Sequence, residues 1–224
     1  MRKSHPMARE RRYRLLCPIA RAMDRVGDRW TLLILRDLHA GPARFSELQT
    51  LPGIASNLLT NRLRKLEADG LVRRRDAEYG TTLYELTEAG EDTGDLLYEL
   101  AQFGAGFPPD TQLQRPGNLR TIALPLRIGC ERAADASTNV RAEIIVDDEH
   151  FALTVTNGAV DVKYGTADAP EVTFTTTYEP FIESGDGRMP LDEFTRDHVT
   201  VEGEPEKVRE LMSLLSRALV PQAH

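Results

Sequence analysis

The chain has 224 residues, a formal net charge of −7, 41% apolar residues and two cysteines. That length suits two domains, no apolar run reaches the ~18 residues of a membrane helix, and Cys17 and Cys130 are too few and too far apart for a disulfide framework. The basic start, MRKSHPMARERRYRLLCPIA, has no apolar stretch behind it and does not read as a signal peptide, so a reduced, cytoplasmic protein without a membrane partner is expected.

Charge is unevenly spread. Residues 1–75 hold 17 Lys and Arg against 7 Asp and Glu, and the remainder holds 11 against 28. The first third is suited to a polyanion, although a charge run also suits a merely solvated face. The local pattern has to decide between them.

In IARAMDRVGDRWTLLILRDLHAG two helical patterns break at Gly27–Asp28, with Ile19, Met23 and Val26 at helical spacing in the first. Leu32, Leu33 and Leu35 make the second nearly apolar, and Gly41 then Pro42 stop it. A short helix follows from Phe45 to Gln49, with a weak start near Arg44. Ser56 is then the expected N-cap of a helix over 57–69, closed by Gly70. At 100° per residue Leu59, Leu63 and Leu66 face inward. Asn57, Thr60, Asn61 and Arg64 face outward, with Lys65 at the flank. These side chains, with Ser56, are of the kinds that read base edges or grip phosphates.

LVRRRDAEYGTTLYELT predicts two short strands joined by a tight turn, with Leu83 and Tyr84 on opposite faces. A helix for the major groove followed by a basic hairpin is a winged helix-turn-helix, in which Arg73, Arg74 and Arg75 lie along phosphates or reach the minor groove. Thr87 caps a helix predicted over 88–103, with a stripe of Leu96, Leu97, Leu100 and Phe103. Such a stripe packs internally or pairs with a second copy.

CPIARAMDRVGDRWTLLILRDL, then G-P-x-R-F-S-E-L and LTNRLRKLEADGLVRR, resemble the HxlR family of winged-helix transcription regulators, relatives of the MarR type, over about residues 13–107. The wing departs from the family's proline-bearing loop with DAEYGTT. The resemblance implies a homodimer on an inverted-repeat operator, paired through the terminal helix and the segment around Tyr13–Leu16. Some relatives sense oxidants through a cysteine matching Cys17. Here Cys17 precedes Pro18, which is favoured at a first helical position, with Arg14 and Arg21 close in sequence. These features favour a thiolate, whereas a small residue packed under the helix is the other reading.

Residues 107–118, within GFPPDTQLQRPGN, read as a linker between domains 1–106 and 119–219. Beyond it NVRAEIIVDD, EHFALTVTN, AVDVKYG and EVTFTTT alternate as strands. Short helices, HVTV as a last strand, and a helix with Val208, Leu211, Met212, Leu215 and Leu219 on one face complete an α+β domain. GDGRMPLDEF and HVTVEGEPEKVRELMSLL resemble the sterol carrier protein-like fold, which implies an apolar tunnel and an apolar small-molecule effector. By that resemblance Phe174, Tyr178, Phe181, Met189, Phe194 and Met212 line it; the same residues also suit an ordinary core.

His5, His39, His150, His198 and His224 are scattered without metal-ligand spacing. No G-x-S-x-G nucleophile or phosphate loop is present. The sequence thus points to a non-enzymatic, cofactor-free regulator, read as a repressor, whose second half senses an apolar molecule. The competing reading makes that half a dimerisation scaffold, with regulation through Cys17.

Overall fold

The computed structural model describes residues 12–77, 80–110 and 115–219. His5, His224, most of the basic start, the middle of the wing turn and part of the linker lie outside the described residues.

The first half is built from α1 (Pro18–Val26), α2 (Thr31–Leu38), β1 (Ala43–Arg44), α3 (Phe45–Leu48), α4 (Ser56–Ala68), β2 (Val72–Asp76), β3 (Thr82–Leu86), α5 (Glu88–Glu91) and α6 (Gly94–Ala105). The strands form an antiparallel sheet in the order β1-β3-β2. The break between α1 and α2 is held by Asp28, whose carboxylate accepts from the Trp30 and Thr31 amides at 3.0 and 3.2 Å. Ile34, Leu35 and Leu38 of α2, Leu59, Leu63 and Leu66 of α4, and Val72, Tyr84 and Leu86 of the wing share one core. This is a winged helix-turn-helix. Leu32 and Leu33 are only half-buried, so α2 is less enclosed than its composition predicts.

Two expectations need correction. Ser56 is the first helical residue of α4, and Ala55, in extended conformation, holds the cap position. The helix predicted over 88–103 is two helices. Thr87 does cap the first, its hydroxyl accepting from the Gly90 amide at 3.2 Å. Gly90 lies so close to the Leu71 carbonyl that a Cβ there would sit 2.1 Å from its oxygen. Thr93 then donates to the Gly90 carbonyl at 2.6 Å and contacts His39 Nε2 at 3.1 Å, so the chain turns before α6 begins. Tertiary contacts, rather than helix propensity, end α5.

The second half opens with a 3₁₀ turn at Arg120–Ile122 that runs into α7 (Ala123–Ala133). β4 (Val140–Val146), β5 (Glu149–Thr156), β6 (Ala159–Tyr164), β7 (Val172–Thr176), α8 (Tyr178–Gly185), α9 (Leu191–Asp197), β8 (Thr200–Gly203) and α10 (Pro205–Ala218) follow. The sheet order is β6-β5-β4-β7-β8, parallel only between β4 and β7. Val140, Ala142, Ile144 and Val146 alternate into the core with Phe151, Leu153 and Val155 and with Val172 and Phe174. From α10, Leu211, Leu214 and Leu215 are buried, while Val208, Met212 and Leu219 pack at the core's edge. The domain is α+β with a mixed sheet.

The halves are joined by burial and by charge. Leu124 and Ile128 of α7 belong to the first half's core, and Ala40 belongs to the second's. The Tyr164 amide donates to the Ala40 carbonyl at 2.9 Å. Asn118 donates to the Glu47 carbonyl at 2.9 Å and to the Thr50 hydroxyl at 2.7 Å. Arg132 stacks 4.4 Å from the centre of the Tyr98 ring and pairs with Glu99 at 2.9 Å.

Arg120 is only 2% exposed. Its guanidinium donates to the carbonyls of Asp37 at 3.0 Å, Pro42 at 3.2 Å, and Gly41, all at the end of α2. The Tyr164 ring lies 5.0 Å below it and the Glu47 carboxylate 3.6 Å away. Replacing Arg120 with Met should remove these hydrogen bonds from the junction and lower stability by about 3 kcal/mol. A urea midpoint equal to that of the unaltered protein would show that the junction does not depend on this contact.

Candidate nucleic-acid interface and interdomain cavity

α4 presents two faces because its leucines repeat at helical spacing. With Leu59, Leu63 and Leu66 no more than 1% exposed, Asn57, Asn61 and Arg64 stand in solvent. None of these three side chains has a hydrogen bond or ion pair with the described residues. Gly70, with φ of +73°, ends the helix in the left-handed conformation that favours glycine.

The other expected contact residues of α4 are engaged within the protein. The Thr60 hydroxyl donates back to the Ser56 carbonyl at 2.8 Å, and the Ser56 hydroxyl accepts from Gln49. Lys65 turns inward, donating to the Asp24 carbonyl at 2.9 Å and to Asp69 at 2.8 Å. It ties α4 to α1 rather than facing outward. Arg62, which the sequence reading passes over, pairs with Asp28 at 3.0 Å. It thereby fixes α4 against the turn before α2.

The wing arginines alternate across the hairpin. Arg73 and Arg75 share Glu85 on one face, at 2.8 and 2.9 Å. On the other face Arg74 pairs with Glu67 of α4 at 2.5 Å and lies 5.6 Å from the centre of the Tyr84 ring. Its hydrogen bond to Glu67 raises the Arg74 pKa further. All three side chains remain at least half exposed. Each therefore exchanges a carboxylate for any phosphate it meets, which reduces the net electrostatic gain.

Cys17 is exposed at the N-cap position of α1, with Pro18 as the first helical residue. Cys130 is buried in α7, and burial pushes its thiol up to about 12. Among the described residues no cluster could hold a metal ion, and no helix is long and apolar enough to cross a membrane.

The residues named for an apolar tunnel divide. Phe174, Phe181 and Phe194 form a ring cluster with centroid separations of 6.4 and 6.3 Å. Phe174 and Phe194 are fully buried in the core, and Tyr178, Met189 and Met212 pack around its edge. Phe181 alone of the six lines the apolar cavity, a space of about 320 Å³ between the halves. Its walls come from α2, α6, α7, α8 and α10, with Leu33, Leu97, Leu124 and Ile182 among them. No sequence pattern marks this cavity, because its walls are the outer faces of helices from both halves.

Comparison with known proteins bears out the family resemblance of the first half and gives the second half a different description from the sterol carrier protein-like one expected. A family model described as HxlR-like helix-turn-helix matches residues 25–112, and one described as alkyl sulfatase C-terminal matches residues 123–219. An uncharacterised HTH-type transcriptional regulator of Mycobacterium bovis is 40% identical over 93 residues, which is 41% of this chain and 59% of that protein. The chain thus spans less than two thirds of the length of this relative. A Synechocystis regulator of the same description is 40% identical over 95 residues, covering 41% of this chain and 70% of the other. The reduced form of the regulator YodB from B. subtilis is 32% identical and covers 43% of this chain and 100% of its own, with a TM-score of 0.38. The family model over residues 25–112 and the Synechocystis relative, 70% of whose length is covered, establish that the chain belongs to the HxlR-like helix-turn-helix family of transcription regulators.

Proposed function

We propose that the protein is a cytoplasmic, dimeric repressor that binds an inverted-repeat operator through α4 and the wing, with no enzymatic role. The observation that carries this reading is the outward face of Asn57, Asn61 and Arg64, unpaired and exposed above three buried leucines. Asparagine matches the adenine edge and arginine the guanine edge in the major groove. Arg64→Ala should weaken binding to the operator by about 1–3 kcal/mol while changing binding to random DNA little. In the same fluorescence-anisotropy titrations, Arg74→Ala should lower the salt slope by about one phosphate contact. Equal losses on both DNAs would make Arg64 a backbone contact, and an unchanged slope would remove Arg74 from the interface.

Dimerisation is supported by exposed apolar side chains at both ends of the first half. Leu16 is 96% exposed and Phe103 67%, and Tyr13, Leu15, Ile19, Leu100 and Phe107 are also open. Isolated exposed residues need no explanation, but a group of this size fits a protein contact. In the dimer two copies of α4 would meet successive major grooves about 34 Å apart. Phe103→Glu should turn the dimer into a monomer in sedimentation analysis. A dimer of unchanged affinity would exclude the α6 surface.

The second half is read as the sensor of an apolar small molecule. A ligand alters operator affinity only by favouring one arrangement of the paired α4 helices over another. The cavity supports this, because it touches α2 and α6 from the first half as well as α8 and α10. A second reading, redox control through Cys17, is favoured by that residue's exposure at a helix start. Under it, alkylating Cys17 lowers operator affinity, and Cys17→Ser abolishes the effect. Operator affinity unchanged by alkylation would exclude it.

A further inference from the structure

The cavity between the halves combines a largely aliphatic wall with a single cation. Among its lining residues Arg36 is the one positive side chain and Asp186 the one negative. Asp186 accepts from Arg188 at 3.2 Å, so its charge is matched locally. Arg36 spends Nε and Nη2 on Asp37, both at 2.8 Å. A guanidinium has five N–H donors in a planar fork, so others remain for a second acceptor. The Arg36 side chain is 24% exposed. Leu32, Leu33 and Leu97 supply apolar surface from the first half, and Leu126, Ile182 and Leu219 supply it from the second. At about 320 Å³ the space lies at the small end of ligand pockets, suited to a small molecule rather than to a peptide.

We infer that this cavity binds an amphiphile with an alkyl chain and a small anionic head, the chain against the leucines and the head beside Arg36. This deepens the proposed sensing role and rests on it. The site's position supplies the coupling. Arg36, Leu32 and Leu33 belong to α2, which packs with α4 in one core, while Leu97, Leu100 and Ala105 belong to α6. A chain inserted between α6 and α8 is in contact with both the scaffold of the reading helix and the helix of the proposed dimer surface.

The test is calorimetric titration of the full chain with decanoate and, separately, decanol, in the absence of DNA. Gly185, the last residue of α8, lies on the cavity wall, and a Cβ there would meet nothing within 4 Å. Gly185→Phe therefore adds a bulky ring at the cavity wall, with no packed neighbour against its Cβ. Decanoate should bind the unaltered protein and lose at least about tenfold in affinity to Gly185→Phe. Arg36→Gln should weaken decanoate by about tenfold and leave decanol unchanged. Equal decanoate affinity in Gly185→Phe would overturn the site. Equal loss of both probes in Arg36→Gln would overturn the head assignment. No binding of either probe to the unaltered protein, the result expected if a second copy covers the cavity, would overturn the ligand class. Operator affinity of the same samples, measured apart, judges the DNA-binding reading independently. If it is retained while decanoate fails, the ligand inference alone is lost.

Discussion

A buried cation at the end of α2 holds the two halves in one arrangement. The last turn of any helix leaves carbonyls without intrahelical donors, and the helix dipole makes that end negative. Here the end packs against the second half, with Asp37 buried, Gly41 half-buried and Pro42 at the surface. Arg120, from the start of the second half, supplies the donors to Asp37, Gly41 and Pro42. Its own desolvation is a cost, and burial pulls its pKa down. Burial likewise lifts the Asp37 carboxyl, against the opposing pull of Arg36 and Arg120. Each charge has its own partner, Arg36 for the Asp37 carboxylate and Glu47 with three carbonyls for Arg120, so the closed arrangement compensates both.

Around that contact the chain is built so that the parts do not act separately. Glu149 of β5 accepts both the Leu119 amide and the Tyr164 hydroxyl at 2.7 Å, holding the segment that carries Arg120. His39, its side chain fully enclosed, lies 2.9 Å from Arg127 of α7 and 3.3 Å from Glu91. Its contact with Glu91 holds that carboxyl below the usual range. α7 is thus held against α6 by apolar contacts and by Arg132, and to the residue that follows α2 by Arg127. Any change of spacing between the halves would have to repack these contacts together.

The reading surface follows a different economy. Asn57, Asn61 and Arg64 are free, whereas the cations around them are committed. Lys65 holds α1, Arg62 holds the turn before α2, and the wing arginines hold Glu85 and Glu67. Five of the 17 cations in the first 75 residues therefore orient α4 and the wing within the protein. Such preorganisation lowers the ordering cost of binding, and carboxylate partners temper nonspecific attraction.

Much of this was legible in the sequence. The leucine spacing of α4, the glycine that ends it, the hairpin after it and the alternating strands of the second half are local patterns set by 3.6-residue and two-residue periodicity. The polar face of α4 follows from the same arithmetic. What the sequence could not carry was which surfaces meet. Arg120 in NLRTI looks like any surface cation, Lys65 looks like a phosphate contact, and residues 88–103 look like one helix. Their fates depend on Asp37, Asp24 and Leu71, distant in the chain and adjacent only once the domains pack. Phe174 and Phe194 suited an ordinary core better than a tunnel, and the cavity lies elsewhere, between helices of both halves. Periodicity is written by covalent geometry and so is local; burial, ion pairing and cavities belong to the contact between elements, and only the tertiary structure decided them.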